Sequence, residues 1–197
     1  MNFLVYFLVI YWYIRYNNNE AVGMKKLITI FTIVVNTIVF STIGYTAKAQ
    51  YDRIEFDQER RAIECLAMNI YFETRASSLA DAMAVSDVVL NRVNSTKYPN
   101  DVCKVIKQGH QDANGNMKRH RCQFSWYCDG KSDVPKNKTA WEKSRKYARD
   151  FWVHSQYVGL TEGATHYHAT YVKPRWAPTL DRITRIGSHI FYRMKGK

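Results

Sequence analysis

From Glu59 onward the apolar positions Ile63, Leu66, Ala67 and Ile70 recur at i, i+3, i+4 and i+7, the spacing of an amphipathic helix. Glu73 lies one further step of three along, at the edge of the inward face and directly before the turn-like Ala76-Ser77-Ser78. Ser78-x-x-Asp81 then reads as a capping box. It opens a second helix, about Leu79 to Val93, whose buried side should carry Ala82, Val85, Val89 and Val93. "TKYPND" is a turn, and "VCKVIKQ" a short helix or extended piece.

Beyond it, residues 109–137 are rich in Gly, Asn, Asp, Lys and His and are expected as a long irregular loop. A third helix is expected from about Thr139 to Val153, with Trp141, Ser144, Ala148 and Phe151 on one face. "ATHYHATYV" alternates as a half-buried strand should, with His166, His168 and Thr170 set against Tyr167, Ala169 and Tyr171. "RIGSHIFYR" supplies a second strand near the end of the chain. The fold class is therefore α+β, helix-dominated, with a small β-sheet.

Upstream the pattern changes. Met24-Lys25-Lys26 is followed by the apolar run "LITIFTIVVNTIVFSTIGY" and by Ala47-Lys48-Ala49, the layout of a secretory signal peptide. Met24 is the expected translation start, with cleavage after Ala49; the alternative is that Leu27–Tyr45 stays as a membrane anchor. Residues 1–23 hold another apolar stretch, short for a membrane span. The expected division is thus 1–49 as N-terminal extension and signal, and 50–197 as one catalytic domain, preceded at residues 50–58 by a polar lead-in.

Charge and cysteines fit export. The 197-residue chain carries a net charge of +12, which draws a protein toward polyanions. Outside the cytoplasm those are wall polymers and anionic lipids; no nucleic-acid motif is present. Four cysteines allow three pairings. The Cys122/Cys128 spacing suits a small loop clasp and not a structural zinc site. Cys65, inside a helical pattern, reads as a buried thiol, and at least one disulfide is expected among Cys103, Cys122 and Cys128, tying the irregular loop to the helical body.

Glu73 is the candidate for chemistry. A carboxylate in the last turn of a helix is disfavoured by the helix dipole, and an apolar edge adds desolvation. Both raise its pKa, as a general acid working near neutral pH requires.

The blocks "CLAMNIYFETR", "AMAVSDVVLNRV" with "YPNDVCKVI", "CQFSWYCDG", "GATHYHATYVKPRWA" and "IGSHIFYR" occur in this order from about Ala62 to Arg193. Together they resemble the cell wall hydrolase family of the spore-cortex lytic enzymes SleB and CwlJ, most of all its variants from Gram-negative bacteria and phages. The resemblance implies a fold similar to lysozyme and the lytic transglycosylases. It implies cleavage of the β-1,4 bond between N-acetylmuramic acid and N-acetylglucosamine in peptidoglycan glycan strands, with Glu73 as the single catalytic acid. Thr74, Ala76 and Ser77 stand where the family usually carries Ala, Gly and Glu.

A sugar groove needs aromatic and polar lining. The candidates are Tyr71, Gln123, Ser125, Trp126, Tyr167 and His168, with Phe124 and Trp176 behind them. No cofactor and no metal is expected. Two rival readings stand beside this one: a metal-dependent cell-wall amidase using His166, His168 and His189, and a non-catalytic basic wall-binding protein. A chain beginning at Gln50, exported into an oxidising compartment, should fold and digest purified peptidoglycan. Retained folding with no digestion would place the boundary elsewhere.

Overall fold

The computed structural model describes Leu8, Val9, Trp12 and residues 22–75 and 78–196. The expected break at Ala76-Ser77, including the position of the family's second acid, lies outside the described residues, as does nearly all of the first apolar stretch. The chain divides into two compact units, Met1–Ile54 and Glu55–Lys197.

Helix α1 runs over Val22–Thr74, 53 residues. Residues 50–58, expected as a polar lead-in, are helical instead: they contain neither Gly nor Pro, and their Gln, Arg and Glu are good helix formers. In the first unit the stretch from Ile28 holds an 18-residue window of mean hydropathy 1.8, none of it buried. Ile30, Phe31, Ile33, Ile38, Phe40 and Ile43 are all exposed there. The hydroxyls of Thr37, Ser41, Thr42 and Thr46 fold back onto carbonyls of the preceding turn, which removes free polar groups from that surface. Length and composition suit a signal sequence or a membrane-crossing helix.

The second unit is built around α2, Leu79–Val93. Ser78 caps it, its Oγ accepting from the Asp81 N–H at 3.0 Å. Every residue from Asp81 to Val89 is buried, so α2 reads as a core helix rather than a one-sided one. One side packs Ala82, Met83 and Val89 against Leu66, Ala67 and Ile70 of α1. The same cluster takes in α3 (Val102–Ile106) and Ala148 and Phe151 of α4 (Lys138–Val153). Ala84 and Val88, on the other side, pack against Ala164 and Phe191.

The sheet that meets this second side has the order β3-β5-β4, all antiparallel, from β3 (His166–Ala169), β4 (Asp181–Ile186) and β5 (His189–Arg193). "RIGSHIFYR" thus spans the β4–β5 turn. Two strands form where one was expected. Tyr167 pairs with Phe191 and Ala169 with His189, placing these four on one face; His166, His168, Ile190 and Tyr192 share the other. Strand β3 stops at Ala169, and Tyr171 is exposed beyond it.

The segment expected as irregular contains a hairpin of β1 (Gly109–Gln111) and β2 (Met117–Cys122), followed by a one-turn 3-10 helix, Ser125–Cys128. (β1 and β2 here precede β3–β5 in the chain.) Asp112 makes its turn, accepting the N–H groups of Asn114 and Asn116 at 2.9 Å each. The strands lack apolar alternation because neither face enters the core.

Cys65 is not a free thiol. It is bonded to Cys103, clasping α1 to α3, and Cys122 is bonded to Cys128 within the hairpin region. The disulfide across the core is therefore one helix to another, and the hairpin clasp is local. Denatured, unreduced protein should show no free thiol. Replacing Cys65 and Cys103 by serine should cost ~2–4 kcal/mol in denaturant melts, since a 38-residue separation is released. Four free thiols would contradict this pairing.

Candidate active site

Glu73 sits in the last turn of α1, seven residues on from Leu66 and therefore on the buried row of the helix. Arg75 ends the helix with φ 53°, and its N–H reaches the Tyr71 carbonyl at 3.1 Å. A non-glycine residue in the left-handed region is uncommon. It turns the chain away directly after the acid.

The carboxylate is half-buried, and the Tyr167 hydroxyl donates to its Oε2 at 3.0 Å. Burial pushes the Glu73 carboxyl above its ordinary value; the bond from Tyr167 and the charges of His189 and Arg92 offset only part of that. Tyr167 is pushed well above the usual phenol range by burial and by Glu73 beside it. It therefore stays a donor. The arrangement holds a carboxyl group that keeps its proton to higher pH than a surface glutamate, with one fixed donor on one oxygen.

Arg92 is the nearby buried cation, 4% exposed. Its Nε donates to the Thr165 carbonyl at 2.8 Å, and its guanidinium lies 5.0 Å over Phe124 and 5.5 Å over Tyr98. Its Nη1 is buried with no hydrogen-bond partner among the described residues. Asn91 donates to Thr161 Oγ1 and to the Ala164 carbonyl. These two residues fasten α2 to the approach to β3, and by that route they place Tyr167.

Of the residues expected to line a groove, Tyr167 is the one that hydrogen-bonds Glu73 among the described residues. The Tyr71 hydroxyl accepts the Lys136 and Asn137 N–H groups at 3.1 and 3.0 Å, bracing the start of α4. Trp126 is buried; its indole donates to Asn69 Oδ1 at 3.1 Å and stacks on Phe72 at 4.7 Å. Gln123 and Ser125 are exposed on either side of buried Phe124. His168 lies on the opposite sheet face from Tyr167, against Tyr192 (Nε2 to Oη 2.9 Å) and 5.6 Å from Trp176.

The three histidines of the metal reading do not converge. His189 shares the inner face with Tyr167, and His166 and His168 are outside it. Among the described residues no group of three or more His, Cys, Asp or Glu side chains could hold a metal ion. Sequence patterns did not point to Arg92 or His189 as neighbours of the acid, nor to Asp81 as the partner of His189. A buried charge in a helix carries no periodic signal, although "IGSHIFYR" did flag the strand bearing His189.

The chain belongs to the cell wall hydrolase family, whose sequence model matches residues 76–192. Glu73 lies just before the matched segment. A spore cortex-lytic enzyme of Bacillus cereus is 29% identical over 130 residues, 66% of this chain and 43% of that protein, so the chain spans less than half the length of this relative. Among solved structures, the catalytic domain of the germination-specific lytic transglycosylase SleB from Bacillus anthracis superposes with a TM-score of 0.48 at 26% identity, covering 67% of this chain and 93% of that one. The SleB catalytic domain of Bacillus cereus gives 0.46 at 26%, with 68% and 91% covered.

A raised carboxyl has a sign consequence for stability. Stability from Glu73 is complete below its unfolded value, near 4.5, and is lost as pH rises through the higher folded value. Glu73→Gln should therefore melt above the wild type at neutral pH, and the gap should close as the pH approaches 4. A gap independent of pH would mean that burial does not perturb Glu73.

Proposed function

We propose that the second unit cleaves the β-1,4 bond between N-acetylmuramic acid and N-acetylglucosamine in peptidoglycan, as a lytic transglycosylase with Glu73 as the single acid and base. One observation carries the reading: a half-buried carboxyl at a helix end, held by the Tyr167 hydroxyl and perturbed upward by burial. Among the described residues the ionisable groups acting on it are Tyr167, His189 and Arg92, none of them a carboxylate. That favours a one-acid reaction over the two-carboxylate schemes of most glycosidases.

Glu73 gives its proton to the glycosidic oxygen as the bond to the anomeric carbon breaks. The carboxylate then takes the proton of the muramoyl C6 hydroxyl while that oxygen closes on the anomeric carbon. Glu73 ends protonated, as it began, and no water is consumed. Tyr167 steadies the carboxylate between the two transfers, and the fixed charge of Arg92 offsets the anion formed midway. Gln123 and Ser125, exposed beside this region, are the proposed glycan contacts, with Tyr71 and Trp126 supporting the walls; His168, on the other sheet face, stands outside this groove.

Two disulfides and an apolar N-terminal helix support an exported protein acting in the periplasm or at the wall, with peptidoglycan glycan strands as partner. The net positive charge would hold it on an anionic wall. Bacterial or phage-driven lysis fits this setting.

Glu73→Gln should keep the fold and lose at least ~10²–10⁴-fold in turnover on purified peptidoglycan. Mass spectrometry of wild-type products should find 1,6-anhydromuramic ends. Reducing muramic ends would make the protein a muramidase, and undiminished turnover in Glu73→Gln would remove Glu73 from the chemistry. Binding without cleavage would favour a wall-binding protein.

A further inference from the structure

Asp81 and His189 form a buried pair that the chemistry above does not use. They are 4% and 6% exposed, and His189 Nδ1 lies 3.1 Å from Asp81 Oδ1. A carboxylate can only accept, so Nδ1 carries the proton in this contact. Asp81 is held from all sides: Ser188 donates its N–H at 3.0 Å and its hydroxyl at 3.2 Å to Oδ1, and Ser78 Oγ donates to Oδ2 at 2.7 Å. The β4–β5 turn makes room for it with Gly187, at φ +54°, where a Cβ would overlap the Asp81 carboxylate. Such a fit joins the start of α2 to the strand that carries His189.

From there the contacts lead to the acid. The imidazole stands edge-on to the Tyr167 ring, 5.2 Å between centroids at 90°. The Tyr167 hydroxyl is the group that donates to Glu73. We propose that Asp81 and His189 are a positioning pair for Glu73: Asp81 fixes the imidazole, the imidazole braces the Tyr167 ring, and Tyr167 so braced holds the Glu73 carboxyl. This rests on Glu73 being the general acid.

Arg92, from α2, is a fixed cation. Tyr167, from β3, stays protonated, raised by burial and by Glu73. Asp81 is pushed up by burial but held below its ordinary value overall by the bonds from Ser78, His189 and Ser188. Beside Tyr167, the charge of His189 is one of the influences that lower the Glu73 carboxyl.

The test is the pH dependence of turnover on purified peptidoglycan for wild type, His189→Asn, Asp81→Asn and the double variant. Asparagine keeps a donor for Asp81 but lacks the ring that stands against Tyr167. The alkaline limb, where Glu73 loses its proton, should move upward by a few tenths to about one pH unit in His189→Asn. Asp81→Asn should move it the same way, because an imidazole no longer fixed ceases to brace Tyr167, whose hydrogen bond stabilises the Glu73 anion. The double variant should add nothing further. Coincident limbs, or lost rate with the limb unmoved, would overturn the pair and leave a merely structural contact; Asp81→Asn decides it should His189→Asn not fold. Undiminished turnover in Glu73→Gln would instead sink the Glu73 assignment, a result distinguishable from these.

Discussion

The structure depends on one buried carboxylate in the middle of α2. Asp87 is fully buried, yet it accepts the N–H groups of Gly159 and Thr161 at 2.8 Å each and the Thr161 hydroxyl at 2.6 Å. Desolvating a charge is costly unless donors replace the water, and these three donors, with the Asn91 amide at 3.4 Å, do so here. The return is positional. The segment leading into β3 is anchored on α2 before the strand starts, and Asn91 and Arg92 extend the anchorage to Ala164 and Thr165. Tyr167 follows two residues later and meets Glu73.

That arrangement sets the acid at the edge of the core rather than on an open surface. Leu66 and Ile70, on the same helical row, fix the direction of α1, and the left-handed Arg75 ends it at the working turn. A charged group held half-buried works against stability, a common tension at active sites. The Cys65–Cys103 bond and the packing of α2 on both sides supply rigidity that such a site requires.

Much of this was legible in the residue pattern, for reasons that differ by element. The α1 row ending at Glu73 and the Ser78 cap of α2 follow from helical spacing and capping chemistry, both local. The β1–β2 hairpin was not legible, because "MKRHRC" packs no face into the core and its turn is made by the Asp112 side chain. Burial of Asp81, Asp87 and Arg92 was hidden as well: a helix buried on all sides has polar positions where periodicity expects solvent. Strand alternation did separate Tyr167 from His168, and the fold puts only Tyr167 on the acid. Tyr71 and Trp126 look like sugar platforms by composition but spend their polar atoms on α4 and Asn69.

The central claim is that burial holds the Glu73 carboxyl above the ordinary glutamate range, with Tyr167 as the group that restrains it. Carbon-13 NMR of glutamate-labelled protein, titrated from pH 3 to 9 in the wild type and in Tyr167→Phe, measures this directly. Glu73 should titrate above the exposed glutamates, and removing the Tyr167 hydroxyl should move it higher still, since that hydrogen bond stabilises the anion. A Glu73 that titrates with the surface glutamates, unmoved by Tyr167→Phe, would contradict the account.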